Sequence, residues 1–283
     1  MERVAKGRRR PGDVERLVRR PSREALESAV LKEICIAAAQ AGADVLRDLY
    51  HRPRDIHLKG RIDLVTDADQ AAEETVLQKL HELAPGVKII AEESGEHGKG
   101  DARFIVDPLD GTTNYAHGIP LFCCTVAFEE KNRVLAGCTI DPLRNEVFHA
   151  ARGEGAWLGS KRLQVSHARE LESAVVCTGF PYGDRNKLPH MLAAFARFTE
   201  LAQGTRRLGS AALDLAYTAA GRLDGFWEMG LSPWDVATGQ VLVEEAGGLV
   251  TRFDGSPLIL DGREIAAAGP SLHAAILEVL RVT

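Results

Sequence analysis

The spacing of apolar residues near the start of the chain predicts two helices. Apolar residues recur every three or four positions over residues 26–49, which is the period of a helix with one buried face, and Ser22 can cap its start. A second helix is predicted to begin near Thr66 and to end near residues 85–86. Thr66 and Asp69 have the spacing of a capping box, in which the side chain of each residue accepts a hydrogen bond from the backbone amide of the other.

Between residues 87 and 165 the pattern changes to short apolar segments that are separated by turn residues. Segments of this length and composition are typical of strands, and the last four follow one another closely enough to predict an antiparallel meander. The predicted strands lie at residues 87–91, 103–106, 121–129, 133–140, 146–151 and 156–165.

Beyond residue 170 strands alternate with helices, which indicates an α/β arrangement. Strands are predicted at residues 174–179, 223–228, 249–253 and 264–268, and helices at about 188–203, 209–221, 234–246 and 271–281. No flexible linker precedes this region. The sequence therefore predicts an N-terminal α+β half at residues 25–168 and a C-terminal α/β half at residues 169–283, packed together around one site.

Charge divides the chain into a basic start and an acidic body. The first 24 residues hold nine Lys/Arg and four Asp/Glu, a balance of +5, so the remainder carries −10 within the total of −5. We expect residues 1–24 to be a disordered basic extension, because they lack apolar periodicity. A solvated tail is the favoured interpretation, and contact with nucleic acid is the alternative.

Composition excludes several classes of protein. No apolar run approaches the roughly 20 residues that a membrane helix requires, so no membrane association is expected. The five cysteines lack metal-type spacing and lie mostly in apolar runs. This pattern favours reduced thiols in a cytoplasmic protein.

The most informative stretch follows the predicted strand at residues 103–106. It reads Asp-Pro-Leu-Asp-Gly-Thr-Thr-Asn at residues 107–114. A tight turn here can bring the carboxylates of Asp107 and Asp110 and the carbonyl of Leu109 to one point, with Gly111 allowing a backbone conformation that a side chain would block. Hard oxygen ligands of this kind suit Mg²⁺.

Two further acidic positions occur at predicted element ends. Glu92 and Glu93 follow the strand at residues 87–91, and Asp235 opens the helix at residues 234–246. Each alone could be a surface charge or a helix-start acid. Together with Asp107 and Asp110 they predict a cation site, because carboxylates brought together repel one another unless cations or protons are bound.

Thr112 and Thr113 add a second element to this prediction. Their backbone amides can open a helix or turn that faces a phosphate group, and a threonine hydroxyl beside a carboxylate can orient an attacking water. Simple capping is the alternative role.

The stretch at residues 107–114 resembles the signature of the inositol monophosphatase family, within the lithium-sensitive, metal-dependent phosphatases. Glu92-Glu93-Ser94 is similar to the upstream acidic motif of that family, and residues 234–239 and 245–248 are similar to its C-terminal motif. The resemblance extends over residues 25–283 and is strongest to the bacterial inositol-1-monophosphatase branch. It implies a layered α/β/α/β/α sandwich and a homodimer.

The resemblance also implies roles for individual residues. One metal would bind Glu92, Asp107 and the Leu109 carbonyl, a second would bind Asp107, Asp110 and Asp235, and a weaker third would lie near Glu92. Thr112, paired with Asp69, would activate water together with a metal and with Glu92, and Glu93 would support the metal ligands. The implied substrate contacts are Gly111, Thr112, Thr113, Gly209, Ser210, Ala211 and Glu228.

Two positions depart from the family pattern. Ala91 stands where the family usually has glycine, which is acceptable in extended backbone, and Lys59 matches the loop lysine of the family only if the loop shifts by one residue. The predicted activity is Mg²⁺-dependent hydrolysis of inositol 1-phosphate. The alternatives are the same chemistry on fructose 1,6-bisphosphate, histidinol phosphate or a 3′-phosphonucleotide, and a protein associated with RNA or transcription that has secondary phosphatase activity.

Overall fold

The computed structural model describes residues 23–51, 56–58, 64–181, 186–260 and 264–282. Within these residues the helices are α1 (Arg23–Leu49), α2 (Asp67–Leu83), α3 (Thr112–Ala116), α4 (Leu188–Leu201), α5 (Ala211–Ala219), α6 (Pro233–Glu245) and α7 (Pro270–Val282), with a short 3-10 helix at Leu171–Ser173. None of these helices is both long enough and apolar enough to cross a bilayer.

The strands of the N-terminal half form a hairpin and one large sheet. The hairpin joins β1 (Ile56–Leu58) to β2 (Leu64–Thr66). The large sheet contains β3 (Lys88–Ala91), β4 (Gly95–His97), β5 (Ala102–Asp110), β6 (Cys123–Glu130), β7 (Arg133–Asp141), β8 (Glu146–Ala151), β9 (Gly155–Leu158) and β10 (Lys161–Arg162). Its order is β10-β9-β8-β7-β6-β5-β3-β4, and only β3 and β5 pair in parallel. The predicted meander is confirmed as β6 to β10.

The C-terminal half contributes a second, five-stranded sheet. Its strands are β11 (Val175–Thr178), β12 (Gly204–Arg206), β13 (Gly225–Met229), β14 (Leu249–Thr251) and β15 (Glu264–Ala268), in the order β12-β11-β13-β15-β14. The pairs of β11 with β12 and β13 are parallel, and the pairs of β15 are antiparallel. The sheet is therefore mixed, and the α/β arrangement predicted for this half is confirmed.

Five layers result from the packing of helices on these sheets. Helices α1 and α2 cover one face of the large sheet, and α6 covers the other face. Helix α5 packs between α6 and the second sheet, and α7 lies on the far side of that sheet beside α4. The layered α/β/α/β/α order is thus confirmed, and α6 ties the two halves together by packing on the sheet of the N-terminal half.

Most predicted elements are present, and the differences are local. The predicted extension at residues 1–24 and the Ser22 cap lie outside the described residues, apart from Arg23 and Glu24, which begin α1. Strands β1, β2, β4 and β12 were not predicted, because each is only three residues long, which is too short to show an alternating pattern. Ala91 lies in the extended backbone of β3, the conformation in which alanine was expected to be acceptable in place of the glycine of the family.

Candidate active site

A cleft of about 320 Å³ is lined by residues from both halves of the chain. The N-terminal half contributes the end of β3, the end of β5 and the start of α3. The C-terminal half contributes the segments around β11 and β13 and the starts of α5 and α6. Six carboxylic acids and one arginine are among its lining residues: Glu92, Asp107, Asp110, Asp214, Glu228, Asp235 and Arg207.

The end of β5 places two of these acids. The pairing of β5 with β6 is interrupted between Asp107 and Asp110, and the Leu109 amide donates a hydrogen bond of 3.0 Å to Asp107 Oδ1. Gly111 follows at φ 97°, and a Cβ there would lie 2.9 Å from the Leu121 carbonyl oxygen. The motif therefore needs glycine both for its backbone angle and for the close approach of another segment.

A third acid comes from the C-terminal half. Asp235 lies in the first turn of α6, where its Oδ2 accepts a hydrogen bond of 2.6 Å from the Ser232 amide. Carboxylate oxygens of Asp107, Asp110 and Asp235 lie within 4.8 Å of one another. These three acids, which we call the carboxylate cluster, are separated by up to 128 residues along the chain but form one site.

The electrostatics of the cluster are unfavourable without a cation. Burial raises the pKa of Asp107 well above its usual range, and the charges of Glu92, Asp110 and Asp235 raise it further. Burial raises the pKa of Asp235 well above its usual range, and the charge of Asp110 raises it further. Mutual repulsion in a buried place is relieved by protons or by a bound cation.

Asp110 is held by donors from α5 and its preceding residue. The Ser210 hydroxyl donates to Asp110 Oδ2 at 2.6 Å, and the Ala212 amide donates to the same oxygen at 2.7 Å. Burial raises the pKa of Asp110, and these hydrogen bonds oppose that rise. Ser210 therefore lines the cleft while its hydroxyl orients an acid of the cluster.

Asp69 and Thr112 meet beside the cluster. The Thr112 hydroxyl lies 3.1 Å from Asp69 Oδ1 and 3.0 Å from the Leu109 carbonyl oxygen. The other oxygen of Asp69 accepts bonds from the amide and the hydroxyl of Thr66, at 2.8 and 2.6 Å. The capping box predicted for α2 is thus confirmed, and its aspartate also contacts the motif at residues 107–114.

Glu92 and Glu93 occupy the turn between β3 and β4 but point to different places. Glu92 lines the cleft, and its charge raises the pKa of Asp107. Glu93 lines a separate groove on the outer side of α2. The amides of Glu93 and Ser94 donate to the buried carboxylate of Glu73.

Glu228 lines the cleft from β13. Its side chain is only 7% exposed and packs against Gly179, where a Cβ would come within 2.2 Å of Glu228 Oε1. Burial raises the pKa of Glu228 well above its usual range, the charge of Asp214 raises it further, and Arg207 opposes the rise. Glu228 is therefore buried in the wall of the cleft.

The remaining substrate-contact predictions also lie along this cleft. Gly111, Thr112, Thr113, Gly209, Ser210 and Ala211 all belong to its lining. Lys59 lies outside the described residues. The structure thus brings most of the predicted residues together, while their roles remain predictions.

Several residues of the site were missed by sequence reasoning. Asn114 joins the two halves, because its Nδ2 donates to the carbonyl oxygens of Leu121 and Leu208 at 2.7 and 2.8 Å. Asp214 and Arg207 line the cleft, and Glu73 holds the turn that contains Glu92. The one available signal was the position of Glu73, four residues after Asp69 on the same helix face.

The chemistry of the donor set fits a divalent metal ion. The carboxylate cluster, Glu92 and the Leu109 carbonyl present only oxygen atoms to the cleft, and hard cations such as Mg²⁺ prefer oxygen ligands. The raised pKa values of Asp107 and Asp235 indicate that the protein does not itself neutralise the negative charges of these acids. A cation would supply that balance.

Comparison with known proteins connects this site to a family. The chain is 40% identical over 252 residues to the Nus factor SuhB of Pasteurella multocida, covering 88% of this chain and 94% of that protein. It is 40% identical over 257 residues to the inositol-1-monophosphatase of Mesorhizobium japonicum, covering 90% and 97%. The crystal structure of the extragenic suppressor protein suhB from Bartonella henselae superposes with a TM-score of 0.86 at 39% identity, covering 90% and 99%.

The sequence pattern of the inositol monophosphatase family matches residues 27–282, which include every element of the cleft. The fold, the carboxylate cluster and the relatives agree with that match. The chain belongs to the inositol monophosphatase family.

Proposed function

We propose that the chain is a Mg²⁺-dependent phosphomonoesterase that hydrolyses inositol 1-phosphate to inositol and phosphate, acting as a cytoplasmic homodimer. The observation that supports this most directly is the convergence of Asp107, Asp110 and Asp235 within 4.8 Å, beside the Asp69–Thr112 pair. Phosphatase chemistry fits the family, whereas the metal and the substrate are our proposals.

The residues that would hold Mg²⁺ are those of the cleft wall. Glu92, Asp107 and the Leu109 carbonyl would form one set, and Asp107, Asp110 and Asp235 would form the other. When bound, such ions neutralise phosphoryl oxygens and lower the pKa of water, which is the chemistry that phosphate ester hydrolysis requires. The amides and hydroxyls at the start of α3 would contact the phosphate group.

Thr112 would orient the attacking water. Its hydroxyl has one proton and lies within hydrogen-bond distance of two acceptors, Asp69 Oδ1 and the Leu109 carbonyl oxygen. A proton committed to Asp69 leaves the lone pairs of the Thr112 oxygen to accept a hydrogen bond from water. If the Thr112 oxygen takes a proton from that water, its own hydroxyl proton would pass to Asp69 Oδ1.

Glu228 supports a polyhydroxylated substrate. A carboxylate accepts hydrogen bonds from hydroxyl groups, and its negative charge disfavours a second phosphate. Asp214 adds a second acid near Glu228, and Arg207 is the one cation among the described residues that line the cleft. This balance favours a neutral polyol over a bisphosphate.

The direct test is a phosphate-release assay on inositol, sugar, amino-alcohol and nucleotide monophosphates and on fructose 1,6-bisphosphate, with Mg²⁺ or with excess chelator. We expect inositol 1-phosphate to be the best substrate and chelator to abolish turnover. Asp107→Asn should reduce the rate by at least about 10²–10³-fold, because it removes a charge from both proposed metal sets. Full turnover in chelator would refute the metal-dependent mechanism.

Substrate choice is tested by Glu228→Gln. The loss of a charged hydrogen bond is worth about 1.5–3 kcal/mol, so kcat/KM for inositol 1-phosphate should fall roughly 10- to 150-fold. Turnover of p-nitrophenyl phosphate, which has no ring hydroxyls, should change little. Equal losses on both substrates would assign Glu228 to the metal-binding side of the cleft, and no loss on either would remove the argument for inositol phosphate.

A second candidate function is association with RNA or the transcription machinery. Relatives named Nus factor SuhB, among them that of Pasteurella multocida, fit this possibility. The basic residues 1–24 would provide the contact. RNA binding that weakens steeply with salt and is lost when residues 1–24 are deleted would support it.

A further inference from the structure

Glu73 is a buried acid that does not line the cleft. It lies on α2 one turn beyond Asp69, and only 3% of its surface is exposed. Its Oε2 accepts a hydrogen bond of 2.9 Å from the Glu93 amide, and its Oε1 accepts one of 2.8 Å from the Ser94 amide. Both carboxylate oxygens are thus used on two successive amides of the turn between β3 and β4.

The turn whose amides donate to Glu73 also contains Glu92. The Glu92 amide itself donates a hydrogen bond of 3.2 Å to the carbonyl oxygen of Val106, the residue that precedes Asp107 on β5. The backbone of Glu92 is therefore fixed by β5 at its start and by Glu73 just after it. Its side chain, which lines the cleft together with Asp107, extends from this fixed segment.

Satisfying two turn amides could by itself account for a glutamate at this position. A buried carboxylate is a costly way to do so, because desolvation of the charge must be offset by the two hydrogen bonds. The placement of Glu73 gives it a further consequence. Helix α2 uses one face to contact both Thr112, through Asp69, and the Glu92 turn, through Glu73. One rigid helix thereby sets the distance between these two parts of the site.

We propose that Glu73 is a positioning residue that fixes Glu92 for cation binding by holding the amides of Glu93 and Ser94. This inference rests on the proposed metal dependence of the site. It does not depend on which phosphomonoester is hydrolysed. Residues that orient metal ligands in this way typically change metal affinity about 10- to 100-fold when they are replaced.

The test measures metal binding rather than catalysis. Binding of Mg²⁺ is followed by calorimetry, and binding of Mn²⁺ by the electron paramagnetic resonance signal of the free ion, on the full-length chain. Glu73→Gln and Glu73→Asp should each weaken binding about 10- to 100-fold. The aspartate variant keeps the charge but is one methylene too short to reach both amides, so it separates position from charge.

Glu74→Gln is the matched control. Glu74 is the neighbouring residue on α2, is exposed, and carries the same charge. Its replacement removes that charge from the same region without touching the turn, so metal affinity should remain within about 2-fold of the native value, as expected for a screened surface charge. A loss equal to that of Glu73→Gln would attribute the effect to net charge and overturn the proposal.

Coupling to Glu92 distinguishes positioning from general support of the fold. If Glu73 acts through Glu92, the double variant Glu73→Gln/Glu92→Gln should bind metal no more weakly than Glu92→Gln alone. Additive losses, unchanged affinity in both Glu73 variants, or loss of the folded state in both would overturn the proposal. Absence of metal binding by the native chain would refute the proposed function as well, so the two failures are distinguishable.

Discussion

The N-termini of α2 and α6 are built by the same local device and reach the cleft with different results. In each helix an aspartate at the third position accepts a hydrogen bond from the backbone amide of the capping residue, Thr66 or Ser232. Asp69 receives further bonds from two threonine hydroxyls. Asp235 instead lies among other carboxylates, and its pKa is raised well above the usual range by burial and by the charge of Asp110.

This difference distinguishes a carboxylate that is stabilised by hydrogen bonds from one that is suited to bind a metal ion. A buried acid whose oxygens meet hydroxyl and amide donors is compensated by the protein itself. A buried acid whose neighbours are other acids is compensated only by protons or cations. Local sequence makes both aspartates good helix-start residues, and the tertiary neighbours decide which chemistry each supports.

The largest expected effect comes from Asp235→Asn. Asparagine can still accept the bond from the Ser232 amide, so the cap is preserved while the charge is lost. We expect kcat/KM to fall by about 10³-fold and the requirement for Mg²⁺ to shift to higher concentration, since transition-state charge stabilisation by one group is worth about 10²–10³-fold and a metal ligand is removed as well. Phosphate release as a function of Mg²⁺ concentration measures both.

Asp67→Asn provides the control for this change. Asp67 is also an acid in the first turn of a helix, but it is exposed. Its replacement should leave activity close to the native value. Native-like turnover and Mg²⁺ dependence in Asp235→Asn would mean that Asp235 serves α6 only as a cap, and the contrast between the two helices would disappear.

A smaller and different effect is expected at α2. Asp69→Asn should lower kcat by about 10²-fold with little change in KM or Mg²⁺ affinity, because positioning of a proton acceptor acts mainly in the transition state. Thr112→Ala should behave alike, and the double variant should be little worse than either single one. Additive losses would indicate that the two residues act separately and that Asp69 is a cap alone.

The free energy of unfolding of the metal-free chain should depend on pH because of the carboxylate cluster. A folded-state pKa above the unfolded value means that the native chain binds more protons than the unfolded chain, so the free energy of unfolding falls as pH rises above about 4. The raised pKa values of Asp107 and Asp235 predict this trend for the metal-free chain. Mg²⁺ should oppose it.

The comparison of variants isolates the trend from other titrating groups. Exposed acids such as Glu82 and Glu96 have lowered pKa values through their lysine partners and act in the opposite direction. The melting temperature of metal-free Asp235→Asn should therefore exceed that of the native chain at neutral pH and approach it near pH 4. Parallel melting curves at all pH values would contradict the electrostatic account of the cluster.

Sequence reasoning succeeded where local pattern determines structure. The period of apolar residues in α1, the capping spacing of Thr66 and Asp69, and the turn residues between β6 and β9 each depend on near neighbours. The convergence of Asp107, Asp110 and Asp235 was predicted from the ends of elements and from the family motifs, and the structure brings these acids together.

It failed where a residue acts on a distant segment. Nothing local marks Asn114 as a link to Leu208, which is 94 residues away, or Glu73 as a partner of amides 20 and 21 residues later. The pattern around Glu73 is that of any amphipathic helix, in which a glutamate is usually exposed. The short strands β4 and β12 were missed for a related reason, because pairing with neighbours rather than composition makes them strands.

The smallest effect concerns the cap of α2 itself. The Thr66 hydroxyl accepts a bond from the Ala68 amide at 3.2 Å and donates one to Asp69 at 2.6 Å. Thr66→Ala should lower the free energy of unfolding in urea by about 1 kcal/mol, the usual cost of losing an N-cap.

Thr66→Ser keeps the hydroxyl and removes only a methyl group, so it tests which part of Thr66 matters. We expect Thr66→Ser to retain nearly native stability and kcat, and Thr66→Ala to lower kcat several-fold in addition to stability, because Asp69 then loses one of the donors that hold it toward Thr112. Equal destabilisation in both variants would assign the effect to packing of the methyl group. A loss of stability in Thr66→Ala with unchanged kcat would show that Asp69 is held well enough by the Thr66 amide alone, as Asp235 is by Ser232, and the two helix starts would then differ only in the acids that surround them.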